Sequence, residues 1–405
     1  MKKYLWFLVG NLSYAIMQWL ILIIIIKFSG SYDAGLYSLG LAISSPILIF
    51  FNLQLRNQQA VEMRGKYSFA DFFYVRLFTS VIAIIFIISI IFIIYGTNFI
   101  LIFVGILKFV DSFFDLIYGR YHQLNRTDII GKIQFLRTST TLPLLFITFL
   151  ITDSLLISLL TLNLLWFVII FSLYCYGSYV KTLNMSFNDI NKSKIKTLVR
   201  DSLPLGASGT MVSLMPNIPK YLIQYYIGTN ALGIYTAIIT LISSVRLFIN
   251  SVTQFFLNRM SKYLLSNDSN KYNQIMKKQL LISLGIILLL VAIFIPFGEL
   301  ILTTVYTPEY KNYLDLFYLF LGAHILLVIS SILLNGLFAQ KQYKIQLYIN
   351  ALSIILQVIL GIIFITHMGI EGIALAMGVT YCTQLIITSL IYIKRTRSYF
   401  DARKL

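Results

Sequence analysis

LFTSVIAIIFIISIIFIIY, residues 77–95, sets nineteen residues in a row without a charge. An α-helix rises about 1.5 Å per residue, so this run reaches about 28 Å, close to the hydrocarbon thickness of a bilayer. It reads as a transmembrane helix, and the chain around it is of the same kind. Of 405 residues, 58% are apolar and 12% charged, with a mean hydropathy of +0.83. Soluble domains carry about 45–50% apolar and about 25% charged residues. The composition excludes a soluble enzyme, a disordered chain and a secreted disulfide scaffold. Cys175 and Cys382 are the only cysteines, so no thiolate metal cage or disulfide framework is expected.

Working outward from 77–95, windows of about 20 apolar residues give twelve spans: 5–26, 36–55, 77–95, 98–118, 136–152, 154–176, 203–227, 231–255, 279–303, 314–338, 345–366 and 371–393. The first follows Met1-Lys2-Lys3 but is too long for a signal peptide and lacks a cleavage pattern, so it reads as an uncleaved helix. The net charge of +17 is carried in short basic clusters between apolar runs, which argues for cytoplasmic loops and against nucleic acid as a partner. With both termini in the cytoplasm, 27 of the 32 Lys and Arg residues fall inside. Only Lys27 and Lys311 fall outside, while Lys108, Lys220 and Arg246 lie within spans. This split supports an even number of spans. The longest polar loop divides the chain into a first lobe at 1–180, a cytoplasmic linker at 181–200 and a second lobe at 201–405.

The halves echo each other. Ala34-Gly35-Leu36-Tyr37 matches Leu232-Gly233-Ile234-Tyr235, and each is followed by Ile-Ser-Ser, at 43–45 and 242–244. Gly119-Arg120-Tyr121-His122-Gln123 matches Gly336-Leu337-Phe338-Ala339-Gln340 at the ends of the fourth and tenth spans. Six spans per half gives both halves the same orientation, a parallel repeat of the kind used for alternating access. The fold expected is all-α and integral to the membrane, with twelve transmembrane helices in two parallel-repeat six-helix bundles.

These features, with Ser202-Leu-Pro204-Leu-Gly206, Asn217-Ile-Pro219-Lys220-Tyr221 and the stretch from Gly336 to Gln340, resemble the multidrug/oligosaccharidyl-lipid/polysaccharide exporter superfamily. Within it the chain looks most like the O-antigen and polysaccharide flippases. The resemblance implies V-shaped lobes around a central cavity, as in the multidrug exporters. It implies a non-enzymatic flippase of the bacterial inner membrane, moving undecaprenyl-pyrophosphate-linked oligosaccharide by alternating access. H⁺ or Na⁺ would drive it, membrane lipids would surround it, a glycan polymerase would be its partner, and it would need no cofactor. The alternatives are a cation-coupled multidrug exporter of the same superfamily and a membrane glycan polymerase or glycosyltransferase. Short outward loops argue against the last, and the absence of a Walker A sequence excludes an ATPase.

Charges inside spans mark candidate sites, because each costs about 2.5–3.5 kcal/mol at the bilayer centre on insertion scales. Lys220 follows Pro216, Asn217 and Pro219 in the seventh span. The prolines interrupt backbone hydrogen bonding and are candidate hinges, and Lys220 and Asn217 are candidate ligands for an anionic substrate. A lysine paired with a carboxylate or snorkelling to the interface is the bland alternative. Arg246 is expected to face a cavity. Arg56 and Arg120, at the cytoplasmic ends of the second and fourth spans, are candidate phosphate ligands or lipid-facing anchors. Lys108, Asp111 and Asp115 share one face of the fourth span and are candidates for ion coupling, or a structural ion-pair cluster. Lys108 would neutralise one aspartate, with Arg120, Arg246 or a proton meeting the other. The corresponding residues of the tenth span are Ile325, Val328 and Ile332, so one half carries the polar stripe and the other does not. The three histidines show no metal-ligand spacing.

Overall fold

The computed structural model describes residues 2–62, 66–179, 182–183, 192–340 and 342–401. Its elements are α1 (Lys2–Phe51), α2 (Leu55–Val61), α3 (Phe69–Tyr95), α4 (Phe99–Gln123), α5 (Thr127–Thr152), α6 (Leu155–Tyr179), α7 (Lys192–Leu214) and α8 (Ile218–Tyr226). They continue with α9 (Thr229–Leu265), α10 (Ser269–Val305), a 3₁₀ turn (Pro308–Tyr313), α11 (Leu314–Ala339) and α12 (Tyr343–Asp401). No strand occurs among the described residues. The part of the linker at 184–191 lies outside them.

Among the described residues, seven helices are long and apolar enough to cross a membrane. The twelve expected spans are recovered once the remaining elements are read physically. The 50 residues of α1 would extend about 75 Å if straight, more than twice a bilayer. They turn instead at Gly30, whose φ of 83° a side chain would resist. The 59 residues of α12 turn likewise at Gly369, with φ 59°. The α4 helix is as apolar as the others but stands apart from these seven because it carries three charges, Lys108, Asp111 and Asp115, within one crossing. The seventh span is broken: α7 ends at Leu214, and α8 begins at Ile218 with Pro219 in its first turn. The repeat also shows in the backbone. Gly30 and Gly228 both have positive φ (83° and 114°), and each precedes the matching Gly-x-Tyr motif by the same spacing. Tyr37 and Tyr235 of those motifs are both buried.

The chain forms two compact units, Met1–Leu214 and Met215–Leu405. In the first unit, α4 packs against α1, α2, α3, α5 and α6 and is its central helix. Gly10 of α1 meets Gly131 of α5 backbone to backbone, and a β-carbon on either would overlap the partner helix. Small residues permit such an approach where lipid offers no hydrophobic drive to associate. The α7 helix belongs to this unit. Gly206 lies against Phe50 and Leu53, and the Ser202 hydroxyl donates to Gln58 Oε1 at 2.9 Å. The second unit packs α9, α10, α11 and α12 around Tyr235, Phe294, Phe317 and Phe320. Tyr306 is buried there and donates to the Ala237 carbonyl at 2.8 Å.

Candidate functional site: a cationic cavity in the first unit

The α4 stripe is the centre of the site. Its period places Lys108, Asp111, Ser112 and Asp115 on one side of the helix, facing α1, α2, α3 and α5. Asp111 accepts from Lys108 Nζ at 2.8 Å and from Arg137 Nη2 of α5 at 2.8 Å, and the Tyr14 hydroxyl of α1 lies 3.3 Å from both its oxygens. Asp115 accepts from Arg56 Nη1 of α2 at 3.0 Å, with Arg76 Nη2 of α3 at 3.6 Å from its other oxygen. Arg56 Nη2 also donates to His122 Nε2 at 3.2 Å, and its guanidinium lies over the Tyr118 ring. Arg56, Lys108, Asp111, Ser112, Asp115, Tyr14 and Tyr118 line, with Ser45, Leu48, Ile49, Asn52 and Gln134, a cavity of about 300 Å³, while Arg76, Arg137 and His122 are not on its wall.

Two of the four cations are wholly buried. Arg137 is held between aromatic rings, its guanidinium carbon 3.7 Å from the Phe114 centroid and 4.0 Å from that of Trp166. Trp166 is fixed in turn by its Nε1 donating to Thr141 Oγ1 at 2.9 Å. Stacked arginine on this pattern keeps its charge and its fork geometry in a dry environment. Among the described residues, Arg56, Arg76, Lys108 and Arg137 pair with Asp111 and Asp115 alone, so the cluster holds a surplus of two positive charges. Charges removed from water need partners, and this surplus favours an anionic guest.

The sequence reading is corrected at several points. Asp115 is met by Arg56 and Arg76, not by Arg120. Arg120 lies five residues on, about 140° around the helix from Asp115. It donates instead to the Thr182 carbonyl at 3.0 Å and Gln123 Oε1 at 2.6 Å, tying down the segment after α6. The Arg246 side chain lies outside the described residues. Arg76 and Arg137, counted as loop charges by the sequence, are interior. A signal for Arg76 was present: Ser68 and Asp71 form a capping box that starts α3 at Phe69 and so puts Arg76 in its second turn. Arg126 pairs with Asp128 at 3.2 Å at the start of α5.

In the second unit, Lys220 is half-buried on α8, with no ion pair or hydrogen bond to another described residue. Asn217 and Pro219 are buried and Pro216 is exposed. The residues matching the α4 stripe line something quite different. Ile325 and Val328 of α11, with Ile242, Ile287, Leu290 and His324, border an apolar pocket of about 20 Å³, room for one water. His324 itself contacts the Phe320 carbonyl through Nδ1 at 3.1 Å.

A multi-pass, all-α protein with an ion-pair cluster beside a cavity has the make-up of a membrane transporter. A family model described as polysaccharide biosynthesis protein matches residues 1–264, and one described as lipid II flippase MurJ matches residues 189–405. Each covers more than half of the chain, which belongs to this polysaccharide-biosynthesis and flippase family of the multidrug/oligosaccharidyl-lipid/polysaccharide exporter superfamily. A curated relative, the capsular polysaccharide biosynthesis protein CapF of Staphylococcus aureus, is 24% identical over 95% of this chain and 97% of its own. Among solved structures, the lipid II flippase MurJ in an inward closed conformation is similar with a TM-score of 0.73 and 14% identity, over 97% of this chain and 89% of that one. An inward-facing multidrug resistance MATE family transporter gives 0.66 and 14%, over 96% and 94%.

Proposed function

We propose that this chain is a flippase that carries undecaprenyl-pyrophosphate-linked oligosaccharide repeat units across the bacterial inner membrane. It works by alternating access, with both termini in the cytoplasm, and catalyses no bond change. The observation that carries this reading is the surplus of two cations in the first-unit cluster beside the cavity, where four cations share two carboxylates. A diphosphate brings the two negative charges that surplus calls for, and guanidinium groups bind phosphate oxygens in pairs. The names of the family models and of the capsular relative support a glycan cargo. A cavity for cationic drugs would need free carboxylates, whereas Asp111 and Asp115 are each already engaged by two cations.

In this reading Arg56 and Lys108 contact the diphosphate, and Lys220, Asn217 and Arg246 are further candidate ligands for an anionic cargo. Asp111, Asp115 and Lys108 couple the cycle to an H⁺ or Na⁺ gradient, and Pro216 and Pro219 form the hinge. Losing one charge-assisted phosphate contact costs about 1.5–3 kcal/mol, about tenfold or more in affinity. Arg56→Ala, Lys108→Ala and Lys220→Ala are therefore expected to abolish surface glycan display in a strain lacking the native gene, at unchanged protein level on immunoblots. Full display by all three variants would remove the anionic-cargo reading.

A further inference from the structure

Asp115 stands between two arginines in unlike circumstances. Arg56 borders the cavity and has Asp115, His122 and the Tyr118 ring as partners. Arg76 lies behind the carboxylate, fully buried and off the cavity wall. Its contact with Asp115, at 3.6 Å, is too long for a hydrogen bond, and Nε, Nη1 and Nη2 are all buried without a hydrogen-bond partner among the described residues. A guanidinium has five donors and keeps its proton in proteins, so unmet donors in such a place carry a standing cost.

We infer that Asp115 is a movable counter-ion that changes partners when an anion enters. With the cavity empty of cargo it holds Arg56. When a phosphate takes Arg56, the carboxylate turns from the cavity onto Arg76, and the 3.6 Å contact closes to hydrogen-bond length. The inference rests on the proposed diphosphate reading of this cavity. The exchange conserves ion pairs: Arg56 passes from carboxylate to phosphate, and Asp115 passes from Arg56 to Arg76. Without Arg76, the arriving phosphate would leave a carboxylate unpaired and repelled by its neighbour. A neutral sugar or a cationic solute offers Arg56 no replacement charge, so the exchange selects for anions. Arg76 is thus a positioning residue that acts through Asp115 and touches no cargo. The other ionisable groups around the carboxylate are His122 and Tyr118, reached through Arg56, and Lys108 and Asp111 on its own helix.

The test is a double-mutant cycle on the purified full-length chain, titrated with inorganic pyrophosphate, the cargo's charged group without lipid or sugar. Asp115→Asn is expected to bind about tenfold more tightly than the parent, and Arg76→Met about tenfold more weakly, within the range of measured site couplings. In the Asp115→Asn background, Arg76→Met is expected to change affinity less than about twofold, because no carboxylate remains to be received. An equal loss in both backgrounds means that Arg76 binds phosphate directly and overturns the exchange, as does an unchanged affinity in Arg76→Met alone. Should Arg76→Met not fold, Arg76→Lys keeps the charge without the fork, and the same pattern is required of it. A parent that binds no pyrophosphate overturns the diphosphate reading itself. A parent that binds, with additive variants, overturns the exchange alone.

Discussion

Arg137 shows how one residue fixes the site. Its guanidinium is wholly buried, bonded to Asp111 at 2.8 Å and to the Tyr118 hydroxyl at 3.4 Å, with aromatic faces on both sides. Removing one partner of a buried ion pair costs about 3–5 kcal/mol, since the other charge is stranded. Arg137→Met is expected to lower stability by about that amount, and Arg137→Lys by less, in thermal unfolding followed by circular dichroism in detergent. An unchanged midpoint for Arg137→Met would show that Lys108 alone satisfies Asp111. The residue also marks a limit of sequence reading. The Lys108, Asp111 and Asp115 stripe was legible because helical spacing is local. Arg137 was not, because it stands second in the span read at 136–152 and was counted with the cytoplasmic charges before it. The helix begins at Thr127, and Arg137 sits in its third turn. Whether a basic residue near a span's end faces water or turns inward depends on the neighbouring helices, which no one-dimensional count contains.

At the scale of elements, the contact of α1 with α5 is the most demanding, because glycine meets glycine. Gly131→Leu would drive a side chain into the backbone of Trp6 and Phe7. Overpacking of this kind costs about 1–3 kcal/mol, so a lower unfolding midpoint is expected. Gly322→Ala in α11 is the control: a β-carbon there meets nothing within 4 Å, and a helical Gly→Ala change adds about 0.5–1 kcal/mol of stability. Equal effects in the two variants would contradict the close α1–α5 approach. Element existence was readable throughout, since each span carries its own apolar run. Three junctions were less so. Gly30 and Gly369 turn the chain with no intervening polar loop, and the seventh span stops outright at 215–217 where the prolines allowed either a bend or a break.

At the scale of the molecule, charge placement predicts orientation. A green fluorescent protein joined after Leu405 is expected to fluoresce, and alkaline phosphatase inserted at Glu309 in the 3₁₀ turn is expected to be active. The reverse pair of signals would invert the topology proposed. The sequence repeat also proved to be an asymmetry in chemistry. The same helix position carries ions around a 300 Å³ cavity in one unit and isoleucine and valine around a 20 Å³ pocket in the other. The stripe and its missing twin could be read in advance. The cavity could not, because it is enclosed by residues from α1, α2, α4 and α5 that meet only on folding.

The break between α7 and α8 coincides with the boundary of the two units, so the polypeptide changes allegiance partway through a crossing and not in the aqueous loop before it. A gene split within 184–191 would hand α7 to the wrong translation product. The downstream fragment would then have to lend its first helix to the upstream one, and the two pieces would be interlocked by construction. A split at Leu214 would yield two pieces each owning its full complement of helices.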